Sequence, residues 1–462
     1  MKQELFKVSK WCKVFENNGI NALLHSLSLF VIYIPKEKGE FIVNMKKEGQ
    51  TKSAKDFTNF LGKELFEILL QEKLLLSIIR DEKQDSLELG ARLKKKQPLN
   101  ILYLLLTDGC NFKCRYCFED GPTLTEKFVS CKMTERIALQ ALKKFASLNA
   151  KYGDPKITTT INLYGGEPLL NKKVFYIAVI AIKKMVSAGE LPKNTQIVLT
   201  TNGSLITEKI AKFVAENNVS VGLSIDGPQN CNDVYRKSKS NQSAYSLASR
   251  GYQLLRKNEV NAGISFTITP EVLKNESEII RFIIKEVGSN GGLGFNILHH
   301  NAEIHPNEEY YSNAAQFIIE AFKTFRRNNI YEERIMRKVK CFTDQTPIFS
   351  DCGVTGSQIV VAPDGRIGVC QDFVKPRAYF NGKVEDADYD PIKNGLFDEW
   401  ASRTPLFTEE CQDCAAISFC GGGCPAGVEL ATGNKWNIDK RFCPHSKITL
   451  EWLIWDTYSA CE

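Results

Sequence analysis

Cys110-Asn111-Phe112-Lys113-Cys114-Arg115-Tyr116-Cys117 decides how the rest of the chain is read. It follows an apolar, strand-like run, Ile101-Leu102-Tyr103-Leu104-Leu105-Leu106, so the three thiols sit on a loop at a strand's C-terminal end. Three thiolates this close can wrap one face of an iron–sulfur cubane, whereas a [4Fe–4S] cluster has four irons to ligate. The Cys-x3-Cys-x2-Cys spacing therefore points to a cluster with one iron open to a substrate or cofactor. A zinc site wants a fourth protein ligand nearby, and none follows promptly.

Apolar β-type runs and helical patterns alternate downstream. Strands are expected over 99–107, 157–164, 195–200, 220–225, 262–268 and 293–298, and helices over 135–148, 173–187, 207–217, 244–257 and 275–287. About six β/α repeats favour an α/β architecture of parallel strands with helices outside. The pattern does not separate an open sheet from a barrel. Three of these strands end in glycine-bearing turns: Tyr164-Gly165-Gly166-Glu167-Pro168, Thr201-Asn202-Gly203-Ser204, and Ser224-Ile225-Asp226-Gly227-Pro228. Arg236 follows the last of them by eight residues. Alone, each is an ordinary turn; glycine also lets backbone N–H groups approach a charged ligand closely.

In this order the motifs resemble those of the radical S-adenosylmethionine (SAM) enzymes. The resemblance implies a partial (β/α)6 barrel with a [4Fe–4S] cluster on Cys110, Cys114 and Cys117 at its C-terminal mouth, where barrel active sites form. Gly165, Gly166, Glu167 and Pro168 match the family's GGEP motif, whose backbone and carboxylate groups hold the SAM amino group. Asn202 and Asp226 belong to the same cofactor site, with Ser224 and Arg236 at the SAM carboxylate or ribose. Related sequences often carry His before the acid at position 233; here the residue is Asn232.

A second cysteine set comprises Cys352, Cys370, then Cys411-x2-Cys414-x5-Cys420-x3-Cys424, and Cys443, with Gly365 five residues before Cys370. It resembles the seven-cysteine SPASM extension of radical SAM peptide and protein maturases, which usually holds two auxiliary [4Fe–4S] clusters. The family pattern assigns Cys352, Cys370 and Cys424 to the first and Cys411, Cys414, Cys420 and Cys443 to the second. With the SAM cluster, three [4Fe–4S] clusters are expected. A zinc ribbon is the alternative reading of the Cys-x2-Cys pairs. The first auxiliary cluster lacks a fourth ligand in this assignment. Cys341, eleven residues before Cys352, is the protein candidate; an open site accepting a substrate thiolate is the alternative. Cys12, Cys131, Cys231 and Cys461 read as small core residues.

Fifteen cysteines clustered in a 462-residue chain suit metal binding in a cytoplasmic enzyme better than a secreted disulfide framework. No signal-like or membrane-length apolar run occurs. The net charge of +6 is interspersed with acids and excludes a nucleic-acid footprint. Lys94-Lys95-Lys96-Gln97-Pro98 reads as a solvated linker. It divides an N-terminal module, 1–95, from the barrel, 96–305; a helical bridge, 306–340, and the SPASM domain, 341–462, follow. Within the module, β segments are expected at 27–35 and 40–43 about a turn at Lys36-Glu37-Lys38-Gly39, then helices at 55–70 and 72–80. This arrangement resembles the winged-helix module that binds leader peptides in many ribosomal-peptide modifying enzymes, by strand addition to an exposed edge.

The resemblance implies hydrogen abstraction from an unactivated carbon of a bound precursor peptide, the auxiliary clusters taking up an electron as a carbon–carbon or thioether cross-link forms. The implied partners are a precursor peptide with its leader and an electron donor such as flavodoxin or ferredoxin, without nucleic acid or membrane. Asp372, two residues past Cys370, is the expected general base, by analogy with sulfatase-maturing enzymes; His299 and His300 close the sixth strand at the mouth. The rival activities are formylglycine formation by an anaerobic sulfatase maturase and peptide epimerisation; a zinc-binding interaction protein is the non-enzymatic rival.

Overall fold

The computed structural model describes residues 4–94, 97–117, 129–289, 291–301 and 303–461. At its centre six parallel strands lie side by side in chain order: Ile101–Thr107, Thr160–Gly165, Gln196–Thr201, Val219–Ser224, Ala262–Ile268 and Gly292–Ile297. Alternate Leu, Ile and Val side chains, such as Leu102, Leu163, Leu199 and Leu223, and Phe295 with them, are buried on one face of this sheet, and the residues between them are more open. The connecting helices are Glu135–Tyr152, Lys172–Ser187, Glu208–Glu216, Ala244–Lys257 and Glu276–Val287. Thr134, Thr207 and Ser243 cap three of them by accepting from the N–H groups of Ile137, Ile210 and Ser246. All eleven elements match the sequence alternation within a few residues.

The sheet is open, and it is longer than six strands. Tyr331–Glu332 adds a short parallel strand beyond the sixth. Beside the first strand, Gln358–Val361 runs parallel to it, and Arg366–Gly368 and Phe380–Lys383 continue antiparallel. The cysteine-rich C-terminal region is therefore built directly onto the barrel sheet. Between them, helix Glu308–Arg327 and helix Glu333–Thr343 form the bridge. The buried Glu332 carboxylate pins the latter to the sixth strand, accepting from Phe295 N at 2.8 Å, Arg334 N at 3.1 Å and Ile335 N at 2.6 Å.

The N-terminal module departs most from expectation. The 40–43 segment is not a strand: Lys36–Lys47 is one helix, and the expected turn at Lys36–Gly39 is its first turn. Gly39, Ile42 and Met45 face inward at helical spacing, so tertiary burial overrides the β-type run Phe41-Ile42-Val43. Three antiparallel strands, Cys12–Asn17, Ile20–His25 and Val31–Pro35, precede it; only the third falls within the expected 27–35. The expected 55–70 helix is two, Ala54–Leu61 and Lys63–Gln71, broken at Gly62 with φ 87°. The 72–80 segment is not helical but contains the strand Leu75–Ser77, which pairs with Leu5–Val8. Lys95 and Lys96 lie outside the described residues.

Candidate active site

The C-terminal ends of the barrel strands open on a cavity of about 1020 Å³. Cys110, Cys114 and Cys117 line it together with Gly165, Gly166, Asn202, Ser224 and Arg236. The cysteine loop is held in place by backbone pairing with the segment 235–239 around Arg236: Lys113 N donates to Lys237 O at 2.7 Å, Arg115 N to Tyr235 O at 2.9 Å, and Lys239 N to Asn111 O at 3.0 Å. Lys239 Nζ adds a bond to Cys110 O at 2.9 Å.

Gly165 and Gly166 are required where they stand. A Cβ on Gly165, whose φ is +137°, would lie 2.1 Å from Thr107 O; one on Gly166 would lie 2.5 Å from Gly109 O. The turn thus docks backbone-to-backbone on the start of the cysteine loop. Glu167 is fully buried instead of facing the cavity. Its carboxylate accepts from Leu169 N at 3.0 Å, Thr201 Oγ1 at 2.8 Å and Asn202 N at 2.8 Å, stapling this turn to the next strand's end. Burial nevertheless pushes its pKa up to about 7. Pro168, also buried, opens a short 3-10 turn behind it. Asn202 reaches the cavity, its amide donating to Asn111 Oδ1 at 3.0 Å.

Asp226 does not reach the cavity; it holds Arg236, which does. The pair is bidentate, Arg236 Nε–Asp226 Oδ2 at 2.8 Å and Nη2–Oδ1 at 3.0 Å, and is buried. Thr267 N at 2.8 Å and the Tyr116 hydroxyl complete the carboxylate's partners. Asn232 is buried, and its Oδ1 accepts from Asp226 N at 3.0 Å, so the amide found there secures the Ser224–Pro228 turn.

Cys352, Cys370, Cys424 and Asp372 line the same cavity as the three-cysteine loop. Crowding by the surrounding protein raises all three thiols; Cys424 adds to Cys352, Asp372 adds to Cys424, and Asp372, Cys424 and Cys352 all add to Cys370. Cys411, Cys414, Cys420 and Cys443 instead line a second cavity of about 80 Å³. Burial pushes Cys411 up to about 12 and Cys443 up to about 11, each further raised by Cys414 and Cys420. Cys424 and His299 stand in the walls of both cavities. Burial pushes His299 down to about 4, so it is neutral at pH 7. Cys341 belongs to neither set: it is packed among Ala22, Leu24, Phe342, Ala416 and Leu450 and lines neither cavity. The geometry does not offer it as a fourth ligand.

Asp372 occupies a 3-10 turn, Gln371–Phe373, directly after Cys370. Burial pushes its carboxyl up to about 6, a hydrogen bond from Cys370 opposing. His300 reaches the large cavity, 3.1 Å from His305 at nearest nitrogens. Sequence reasoning missed Tyr103 and Tyr164, which point into the cavity from adjacent strands with ring centroids 5.7 Å apart. Strand alternation from the buried Leu102 and Leu163 carried that signal. It also missed Lys239, Arg334 and Arg337 on the wall, for which no local pattern exists.

Among the described residues, no three His, Cys, Asp or Glu side chains are gathered closely enough to hold a single metal ion. The donors here are thiols spread around a cavity, the chemistry of a multi-iron cluster. Three thiols on one loop, a backbone cradle that a Cβ would fill, and Ser224, Asn202 and Arg236 on the same wall fit a three-cysteine cluster with SAM beside it.

Residues 104–283 match the model of the Radical SAM superfamily, and with this fold around them the barrel is a radical SAM domain. The chain is 26% identical over 344 residues to the cysteine-type anaerobic sulfatase-maturating enzyme of Clostridium perfringens strain 13, covering 71% of this chain and 89% of that protein. It is 24% identical to the radical SAM cyclopropyl synthase TigE of Paramaledivibacter caminithermalis, covering 79% of this chain and 75% of that one. Its fold is similar to that of native anSMEcpe with bound AdoMet, at TM-score 0.65 and 20% identity over 79% of this chain and 100% of the other. Streptococcus suis SuiB bound to S-adenosylmethionine aligns at TM-score 0.54 and 16% identity over 96% of this chain and 99% of the other. No helix among the described residues is long and apolar enough to cross a membrane.

Proposed function

We propose that this protein is a radical SAM peptide maturase that removes a hydrogen from a ribosomally made precursor peptide and forms a carbon–carbon or thioether cross-link. One observation carries the reading: a single cavity of about 1020 Å³ joins the three-cysteine loop and the SAM-facing residues to Cys352, Cys370, Cys424 and Asp372. A [4Fe–4S] cluster with SAM supplies, when bound, a 5′-deoxyadenosyl radical able to abstract hydrogen from carbon. The chain's own residues do the rest. Cys110, Cys114 and Cys117 hold the cluster, Gly165 and Gly166 present backbone to the SAM amino group, and Ser224 and Arg236 orient its carboxylate or ribose. Tyr103 and Tyr164 floor the space left for the peptide. Asp372 removes the proton released as the new bond forms, and Cys352, Cys370 and Cys424, on the wall of the same cavity, would hold a cluster that can take up an electron. With three cysteines as its ligands, that group would have one position open to a substrate thiolate.

The fold likeness to SuiB extends over the N-terminal module, and SuiB is also known bound to precursor peptide SuiA. This supports the module as a leader-binding element; the proposal adds an electron donor such as flavodoxin or ferredoxin and a cytoplasmic setting. A second reading, formylglycine formation, is favoured by the sulfatase-maturing relatives. The deciding experiment incubates anaerobically reconstituted protein with SAM, reductant and candidate precursor peptides, followed by mass spectrometry. Loss of two hydrogens with no carbonyl reactive to hydroxylamine supports the cross-link. A hydroxylamine-reactive aldehyde on a Cys or Ser of a sulfatase peptide replaces it with the second reading.

A further inference from the structure

The second auxiliary cysteine set is not enclosed by the C-terminal region alone. Cys411 and Cys414 pack in an apolar cluster with Trp11 and Leu27 of the N-terminal module. On another side, Cys414 and Cys420 pack with Ala22 and Leu24 of the same module. Ser418, between these ligands, donates through Oγ to Ser26 O. A charge accompanies this wall. Lys13 stands opposite Leu24 in the antiparallel strand pair, half-buried and within electrostatic reach of Cys414 and Asp413. Lys46 beside it is tied to the carbonyls of Lys10 at 3.0 Å and Cys12 at 2.5 Å. From the C-terminal side, Lys447 and Glu410 also face the set.

We propose that Lys13, which stands opposite Leu24 on the face that packs against Cys414 and Cys420, is a positioning residue for the second auxiliary cluster: the N-terminal module supplies a wall of that site and a positive charge that favours its reduction. The inference rests on the reading that Cys411, Cys414, Cys420 and Cys443 hold a [4Fe–4S] cluster. Reduction adds negative charge to a cluster, so a cation fixed beside it in a partly dry site stabilises the reduced form. The module that reads as the leader-binding element is then part of the redox machinery.

The test is a redox titration followed by electron paramagnetic resonance on the full chain carrying Cys110→Ala, Cys114→Ala and Cys117→Ala, which leaves auxiliary signals only. Adding Lys13→Ala is expected to lower one of the two auxiliary potentials by about 59 mV, a tenfold shift in a one-electron equilibrium, with iron content unchanged. Lys13→Arg retains the parent potential, and Lys47→Ala, exposed on the same module, leaves both potentials alone. Two unshifted potentials in Lys13→Ala, or two equal shifts, with about eight irons still bound, overturn the inference and leave the cluster assignment standing. A parent protein that takes up no auxiliary iron overturns that assignment and the inference with it.

Discussion

Asp372 is a carboxylate made to titrate near neutrality by its surroundings, because burial raises it to about 6 while its neighbours on the wall are thiols. A base works only when ionised, so cross-linking should rise with pH, reach half its plateau near pH 6, and stay flat above. SAM cleavage, which does not use it, should show no such step. Asp372→Ala should cut product formation by about a hundredfold or more and leave 5′-deoxyadenosine release in place. Unchanged product yield by chromatography would remove Asp372 from the mechanism. Glu167 presents the opposite case. The GGEP motif was legible as a cofactor signature, yet its carboxylate faces inward to three donors. Glu167→Gln would turn an N–H₂ group toward one of these donors, at a cost of about 1–3 kcal/mol in urea unfolding. What a motif residue touches depends on side-chain direction at the strand's end, which spacing alone does not carry.

At the scale of elements, the turn after the fourth barrel strand shows how a buried ion pair prepares a binding side chain. Asp226 holds the Arg236 guanidinium from behind and leaves one edge toward the cavity. Removing one partner strands the other charge, so Asp226→Ala is expected to destabilise the protein by roughly 3–5 kcal/mol. SAM affinity, read by isothermal titration on protein that remains folded, should fall with it. Wild-type affinity in Asp226→Ala would mean Arg236 does not contact SAM. The barrel strands and helices were legible because each carries its own period and ends at Gly, Pro or a capping residue. The N-terminal elements were not. Phe41-Ile42-Val43 satisfies strand propensity as well as helical burial, and Lys73 adopts φ 59°, turning what reads as a helix into the entry of a strand.

Over the whole molecule, three cysteine sets meet through two cavities that share Cys424 and His299. Anaerobic reconstitution is expected to load about twelve irons, and about eight when Cys110, Cys114 and Cys117 are all Ala. Stoichiometric zinc in place of iron, by metal analysis, would return the chain to the binding-protein reading. The sequence by itself determined the parallel α/β core and the three-cysteine loop at a strand's end, because local periodicity and close ligand spacing are properties of neighbouring residues. Only the tertiary structure decided that Cys341 is core, that Asp226 serves Arg236, that the C-terminal strands extend the barrel sheet, and that the N-terminal module walls the second auxiliary set. Each of those depends on contacts between segments tens to hundreds of residues apart, where burial and charge are set by the partner and not by the residue's own neighbours in the chain.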